Sequence, residues 1–421
     1  MGPAGLTLPG RFEFLSDAWL DEARAFLERE TGRRKAELAG QAFSLSEAFE
    51  GAPPHLDLPG DVAAWTMRFD GEGVSVVRGF DASATLTAEG DYQAALMAAQ
   101  WVGIQAPGAA AAMFRELKTV FGDGALRVKG ALPAAADDLL AALHDHMGRR
   151  TVENPDLAHR AARLGLVGKI RELEDQGYTV VERAISDAFA DEVRAATLRA
   201  LSAHQNTSMQ WMLYHGREFE QLVQNPMLLT LIDASLGRGA VIASLSAIRR
   251  GPGPGMIPMH TDYAHVPEPY PEFSMTGVGV WAFEDWTVAS GPTWIIPGSH
   301  RKRRAPRPGE DRSGGVPIEM PKGSVVYFAH GVWHWQGDRT EPGERVTLHA
   351  HFNRGILRSL EPKKTDVQMM YRNAPRLGEM LGEDDWFDKI SAAGRDQVRF
   401  AYMHKLHAFT EQQKKRVLAE G

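Results

Sequence analysis

The chain has 421 residues, 43% of them apolar and 24% charged, with a formal charge of −7; this suits two domains of ordinary composition. It has no cysteine, which excludes disulfides, thiolate-bound zinc and iron–sulfur clusters, so a metal would have to be held by His and carboxylate. The mild acidity argues against a nucleic-acid partner, since the basic residues cluster only in the short run "HRKRRAPR" at 300–307.

The N-terminus, "MGPAGLTLPGRF", lacks a basic region followed by an apolar core, and Leu6 spoils a myristoylation pattern. No stretch approaches the roughly 18 apolar residues of a membrane span. A cytoplasmic protein is expected. Residues 16–30 predict an amphipathic helix capped by Ser16 or Asp17. "AAWTMRFDGEGVSVVRG" (63–79) predicts two strands joined at "DGEG", and "SATLTAEG" (83–90) a third. Helix, strand and helix follow at 91–100, 125–130 and 135–147, making residues 1–148 an α+β domain. The phrases "WTMRFDGEGVSVV", "SATLTAE" and "ALRVKGALPAAADDLLAAL", in that order, resemble the sterol-carrier-protein-2-like fold over about residues 14–148. The resemblance implies an apolar tunnel for a lipid or acyl chain. The alternative is a module that only packs or dimerises.

"GRRTVENPDLAHR" (148–160) reads as a polar linker. The second domain, 161–421, opens with helix, a short strand at Tyr178–Val181 and helix, then paired helical turns over 217–237 with Gly237 as C-cap. From 240 to 353 the apolar period switches to two. Many short strands at turn-punctuated spacing predict a barrel or jelly roll, flanked by helices. The tail, 363–421, returns to helix.

"MHTDYAH" at 259–265 carries the chemistry. On a strand, His260 and Asp262 face the same side, so an imidazole and a carboxylate can converge on one ion. Two His and one carboxylate on one face is the set of non-haem Fe(II) oxygenases. "AHGVWHWQGD" (329–338) offers His330 or His334 as the third ligand. Eleven positions after His334, Arg345 opens the strand "RVTLHAHF"; a guanidinium there can bind the distal carboxylate of 2-oxoglutarate bidentately. His-x-Asp alone is a weak signal, since a capping Asp beside a surface His is common. The full set inside a β-rich segment is far more specific.

"MHTDYAH", "GVWAFEDWTVASGPTWIIPGSHR", "GSVVYFAHGVWHWQGD" and "ERVTLHAHF" resemble successive signature segments of the phytanoyl-CoA dioxygenase family. "GYTVVERAISDAFADEVRAA" and "QNPMLLTLIDASLG" resemble its leading helices, so the likeness covers about residues 165–356. It implies a double-stranded β-helix, of the jelly-roll or cupin-like kind, with Fe(II) on His260, Asp262 and His334 and 2-oxoglutarate on Arg345. It also implies co-substrate contacts at Trp281 and Gln336, although Gln336 replaces the small hydroxyl residue common in the family. Asp262, in place of Ala or Gly, argues against a halide-binding variant. Tyr263, His265 and His351 are candidates for the substrate side of the site; for each the bland alternative is a loop anchor or a hydrogen-bonded core residue.

The expected function is an Fe(II)-, 2-oxoglutarate- and O2-dependent dioxygenase hydroxylating a small, hydrophobic, acyl- or lipid-like substrate. The competing class is a lipid carrier whose β-helix has lost turnover. A cupin-like isomerase is a third class, and it would not need Arg345.

Overall fold

The computed structural model describes residues 10–263, 266–357, 359, 367–382, 408 and 411–419. The chain forms two compact units. The first holds residues through Arg160 and groups with 366–378; the second holds 161–365 and shorter C-terminal segments.

The first unit is an α+β layer. Its five-stranded sheet runs, edge to edge, Val74–Arg78, Val62–Phe69, Phe43–Glu50, Leu86–Asp91 and Leu126–Gly130. The "DGEG" hairpin forms as expected, with Asp70 Oδ1 accepting from the Glu72 and Gly73 amides (3.0 and 2.9 Å). The central strand, Phe43–Glu50, was not anticipated from the sequence. It pairs antiparallel with Val62–Phe69 and parallel with Leu86–Asp91. The helix Ala109–Phe121 was also unforeseen. Ser16 caps the helix Asp17–Arg33 by accepting from the Trp19 amide (3.2 Å), and Asp91 caps Tyr92–Ala99 from two amides. Phe14, Trp19, Phe49, Trp65 and Tyr92 form the aromatic centre of the core.

The expected linker is not an exposed tether. Thr151 and Val152 pair with Phe12 and Glu13, the Trp19 indole donates to Thr151 Oγ1 (2.9 Å), and Asn154 is fully buried. Its polar side chains read as solvent-facing in sequence, but they satisfy backbone groups inside the fold. Asp156 accepts from the His159 amide, for example, and the His159 ring meets the Gly51 carbonyl (3.0 Å).

The second unit carries an antiparallel six-stranded sheet in the order Tyr178–Val181, Val325–Ala329, Thr276–Ala282, Arg345–Asn353, Val241–Arg250 and Ser208–Met209. A three-stranded sheet has Thr293–Ile296 between Val316–Pro317 and Trp333–Gln336. Strand alternation gives the large sheet two distinct faces. One packs on the helix Pro226–Leu236. There Gly279 is the residue that lets the backbone approach, since a Cβ would stand 3.0 Å from Leu228 Cδ1. Ser235 and Tyr327 hydroxyls meet on the same face (2.7 Å). The other face packs Val278, Val280, Val326 and Phe328 with Ile295 of the small sheet.

Asn225 fixes where the Pro226–Leu236 helix starts. Its Oδ1 accepts from the Met227 and Leu228 amides (3.0 and 3.1 Å), while its Nδ2 donates to the buried Ala184 carbonyl (2.8 Å). Asn225→Ala is expected to cost about 1–3 kcal/mol, a lost cap plus an unpaired carbonyl. Asn225→Ser, which keeps a capping oxygen without setting a buried carboxylate against the Ala184 carbonyl, should lose less. Urea midpoints of the two variants check this, and equal losses would show that the cap contributes nothing. Among the described residues no helix is long and apolar enough to cross a membrane.

Candidate metal centre

Three elements bring the chemistry together. His260 and His334 form an isolated antiparallel bridge, each amide donating to the other's carbonyl (2.9 and 3.0 Å). That bridge fixes the loop residue against the strand Trp333–Gln336 and sets the imidazole centroids 4.2 Å apart. Asp262 lies between them: Oδ1 is 3.7 Å from His260 Nε2, and Oδ2 is 3.7 Å from His334 Nε2. One ligand atom from each of the three falls within 4.8 Å of the others.

Protonation follows from the outer contacts. His260 Nδ1 faces the Pro258 carbonyl (2.9 Å), and His334 Nδ1 the Val332 carbonyl (3.1 Å). A carbonyl can only accept, so each Nδ1 carries the proton and donates. Burial pulls His334 down to about 4, so at neutral pH its Nε2 is a bare lone pair. At 3.7 Å it makes no hydrogen bond to Asp262. Burial pushes the Asp262 carboxyl up, but the neighbouring imidazoles of His334, His351 and His260 outweigh it and hold the group below its ordinary range. The Asp262 carboxylate and the bare Nε2 of His334 thus converge with His260 Nε2 on the third side, a donor set suited to a divalent cation. Backbone carbonyls orienting the ring are the usual second layer of a His–metal site.

Arg345 pairs in register with Arg250 and is only 4% exposed. Its guanidinium donates to the Gly291 carbonyl and lies over the Trp286 ring (5.1 Å). Burial, with the charge of Arg250, pulls it down to about 9. No carboxylate lies within ion-pair distance of it among the described residues. Glu284 acts on it only from beyond ion-pair distance, and a buried cation without a directly paired anion is costly, so this position suits an incoming carboxylate. Trp286, which the sequence reading did not single out, adds a buried indole N–H with no hydrogen-bond partner. Its only signal in sequence was its place in "AFEDW".

The other candidates divide. His351 and His349 share one strand face with Arg345, opposite Val278 and Val280, and both lie close enough to act on the Asp262 carboxyl. Burial pulls His349 down to about 3. Gln336 shares strand parity with His334, and its Oε1 accepts from the Met256 amide (2.9 Å). Trp281 is not brought to this group. It stands opposite Leu348 on the odd-numbered, helix-packed side of Thr276–Ala282, because a strand places alternate side chains on opposite faces. Tyr263 is buried, and its hydroxyl accepts from the Met275 amide (2.6 Å) beside the Tyr270 ring; the phenol is pushed up to about 12 by burial. This is a loop anchor. His265 lies outside the described residues. His330 has a left-handed backbone (φ 59°) and turns to Glu174 (3.5 Å) and the His300 ring, away from Asp262. Burial pushes Glu174 up, but hydrogen bonds and charge from His330 and Lys414 more than offset it, holding the carboxyl at about 2.

The phytanoyl-CoA dioxygenase family model matches residues 122–345, more than half of the chain. Two curated relatives, the uncharacterized proteins Mb1539 of Mycobacterium bovis and Rv1501 of Mycobacterium tuberculosis, are each 23% identical over 193 residues. Each match spans 44% of this chain and 66% of the relative, just under two thirds of its length. Among solved structures, HygX from Streptomyces hygroscopicus, in an iron-bound form and in one with nickel and 2-oxoglutarate, covers 46% of this chain and 88% of its own. The identity is 11% and the TM-score 0.39. On the extent of the family match, the chain belongs to the phytanoyl-CoA dioxygenase family.

Proposed function

We propose that the second unit is an Fe(II)- and 2-oxoglutarate-dependent dioxygenase, built on a double-stranded β-helix, that hydroxylates a small hydrophobic, acyl- or lipid-like molecule. The observation that carries this reading is the convergence of His260, Asp262 and His334 with both Nδ1 protons tied to backbone carbonyls. These three residues would hold the iron. Bound iron would supply O2 activation coupled to decarboxylation of 2-oxoglutarate to succinate. The rest falls to the chain itself. Arg345 binds the distal carboxylate, Trp286 supports its guanidinium, and the apolar face of Val278, Val280 and Phe328 keeps water from the site. His351 and Gln336 border the same face and would meet substrate or co-substrate.

The first unit would be a sterol-carrier-protein-2-like binding module serving that substrate, and its parallel–antiparallel sheet with helices on one side is compatible with this. The carrier reading without turnover predicts iron binding without succinate. Incubating the metal-free protein with Fe(II), 2-oxoglutarate and O2 and assaying succinate separates the two; no succinate above the His260→Ala background would reject the oxygenase.

Gly291 offers a second check. It sits at φ 69°, and a Cβ there would lie 2.8 Å from the Arg339 backbone nitrogen. Gly291→Ala must shift the carbonyl that anchors Arg345. The expected result is a stability loss of about 1–3 kcal/mol together with a raised KM for 2-oxoglutarate. Lower stability with an unchanged KM would show that Arg345 is positioned without Gly291.

A further inference from the structure

The first unit has a half-open cavity of about 240 Å³ between one face of its sheet and the helices Tyr92–Ala99, Ala109–Phe121 and Ala134–Gly148. Its walls are apolar, apart from two side chains. His144 is one, and its Nε2 is occupied by the Trp101 carbonyl (2.9 Å). Glu47 is the other. It stands on the central strand at an inward position, between Leu45 and Phe49, both buried. One carboxylate oxygen, Oε2, accepts from the Trp65 indole (2.7 Å). The carboxyl has no cation within ion-pair distance among the described residues, and burial pushes it up to about 7.

The sheet register gives the cavity a direction. Glu47 lies level with Trp65 on one side and Ala88 on the other, and Ala88 is level with Val128. Two strand spacings, about 10 Å, therefore separate the Glu47 backbone from that of Val128. Val128 is 50% exposed and Phe114, across the cavity, 42% exposed, so apolar side chains meet solvent at that end. Small residues, Ala88, Ala95, Ala98 and Ala99, line the path. The space is modest: a cavity of about 150 Å³ accommodates benzene, so this one takes about ten heavy atoms, fewer than a sterol needs.

We propose that this cavity is a binding site for a medium-chain primary amine or aryl-alkyl amine, its ammonium on Glu47 and its apolar body running past Ala88 towards Val128 and Phe114. An acidic side chain at the inner end of an apolar cavity selects by charge. An ammonium supplies both the donor and the countercharge that the free carboxylate oxygen lacks. A hydroxyl lacks the countercharge, and a carboxylate is repelled by the ionised Glu47. The proposal concerns the first unit alone and stands whether or not the second unit oxidises anything.

Calorimetric titration of the full chain with octylamine, octan-1-ol and octanoate tests it. Octylamine should bind at least about tenfold more tightly than octan-1-ol, with octanoate weakest. Glu47→Gln, which can still accept from Trp65, should bring octylamine to the octan-1-ol level without weakening octan-1-ol. Ala98→Trp, which fills the cavity, should remove binding of all three. Octanoate or octan-1-ol binding as tightly as octylamine overturns the proposal, as does octylamine binding that survives Ala98→Trp or is unchanged in Glu47→Gln. If the Gln variant does not fold, the three-ligand series on the native chain still decides.

Discussion

Replacing His260, Asp262 or His334 with alanine is expected to abolish stoichiometric Fe(II) binding, whereas His330→Ala retains it. Each of the three supplies one ligand atom to a group within 4.8 Å, and two ligands do not make a facial site. Losing an outer-layer partner of a metal ligand typically costs about 10–100-fold in affinity, so deleting a ligand itself should cost more than about 100-fold. His330 is the informative control. It lies four residues before His334 and is equally buried, but it faces Glu174. Its loss should lower stability, since among the described residues Glu174 then keeps only Lys414 (2.7 Å) as an ion-pair partner, yet leave iron bound. Anaerobic Fe(II) titration with equilibrium dialysis reads both effects. Iron lost in His330→Ala but kept in His334→Ala would reverse the ligand assignment.

The second large effect is expected at Arg345. Arg345→Ala should raise the KM for 2-oxoglutarate about 30- to 1000-fold, the equivalent of about 2–4 kcal/mol for a buried charge-assisted contact, while Fe(II) affinity stays within a few-fold. Arg345→Lys should recover only part of the loss. It restores charge but not the planar fork that lies over Trp286 and reaches the Gly291 carbonyl. Steady-state succinate formation at varied 2-oxoglutarate measures this. An unchanged KM in the alanine variant would remove the physical basis for a dicarboxylate co-substrate at this site.

How far the fold could be read in advance depended on whether each segment obeyed one local rule. The hairpin at 62–78 has β-rich runs and a turn whose Asp70 closes it locally, so it was legible. The strand Phe43–Glu50 was not, although it is the centre of its sheet. Glu47 interrupts its inward series of Phe43, Leu45 and Phe49, and a carboxylate at a core position makes a strand look like a loop. The helix Ala109–Phe121 begins with an alanine run that carries no period. The segment 148–160 is polar because its side chains satisfy neighbouring backbone groups, which composition reports as solvent exposure.

By itself the sequence determined which chemistry was available: no thiol ligands, a His-x-Asp pair, two further histidines near residue 330 and an Arg eleven positions after the second. These are matters of residue type and spacing, and strand parity alone puts His260 and Asp262 on one side. The spacing to Arg345 and the family resemblance also favour His334 over His330; what only the tertiary structure adds is the placement, a left-handed residue at 330 and the bridge that sets His334 beside His260. Only the structure separated Trp281 from Trp286. Both are buried indoles, but one stands on the helix-packed face and the other under Arg345. A strand's alternation is written in its sequence, whereas which of its two faces meets a helix and which meets the other sheet depends on residues far away in the chain.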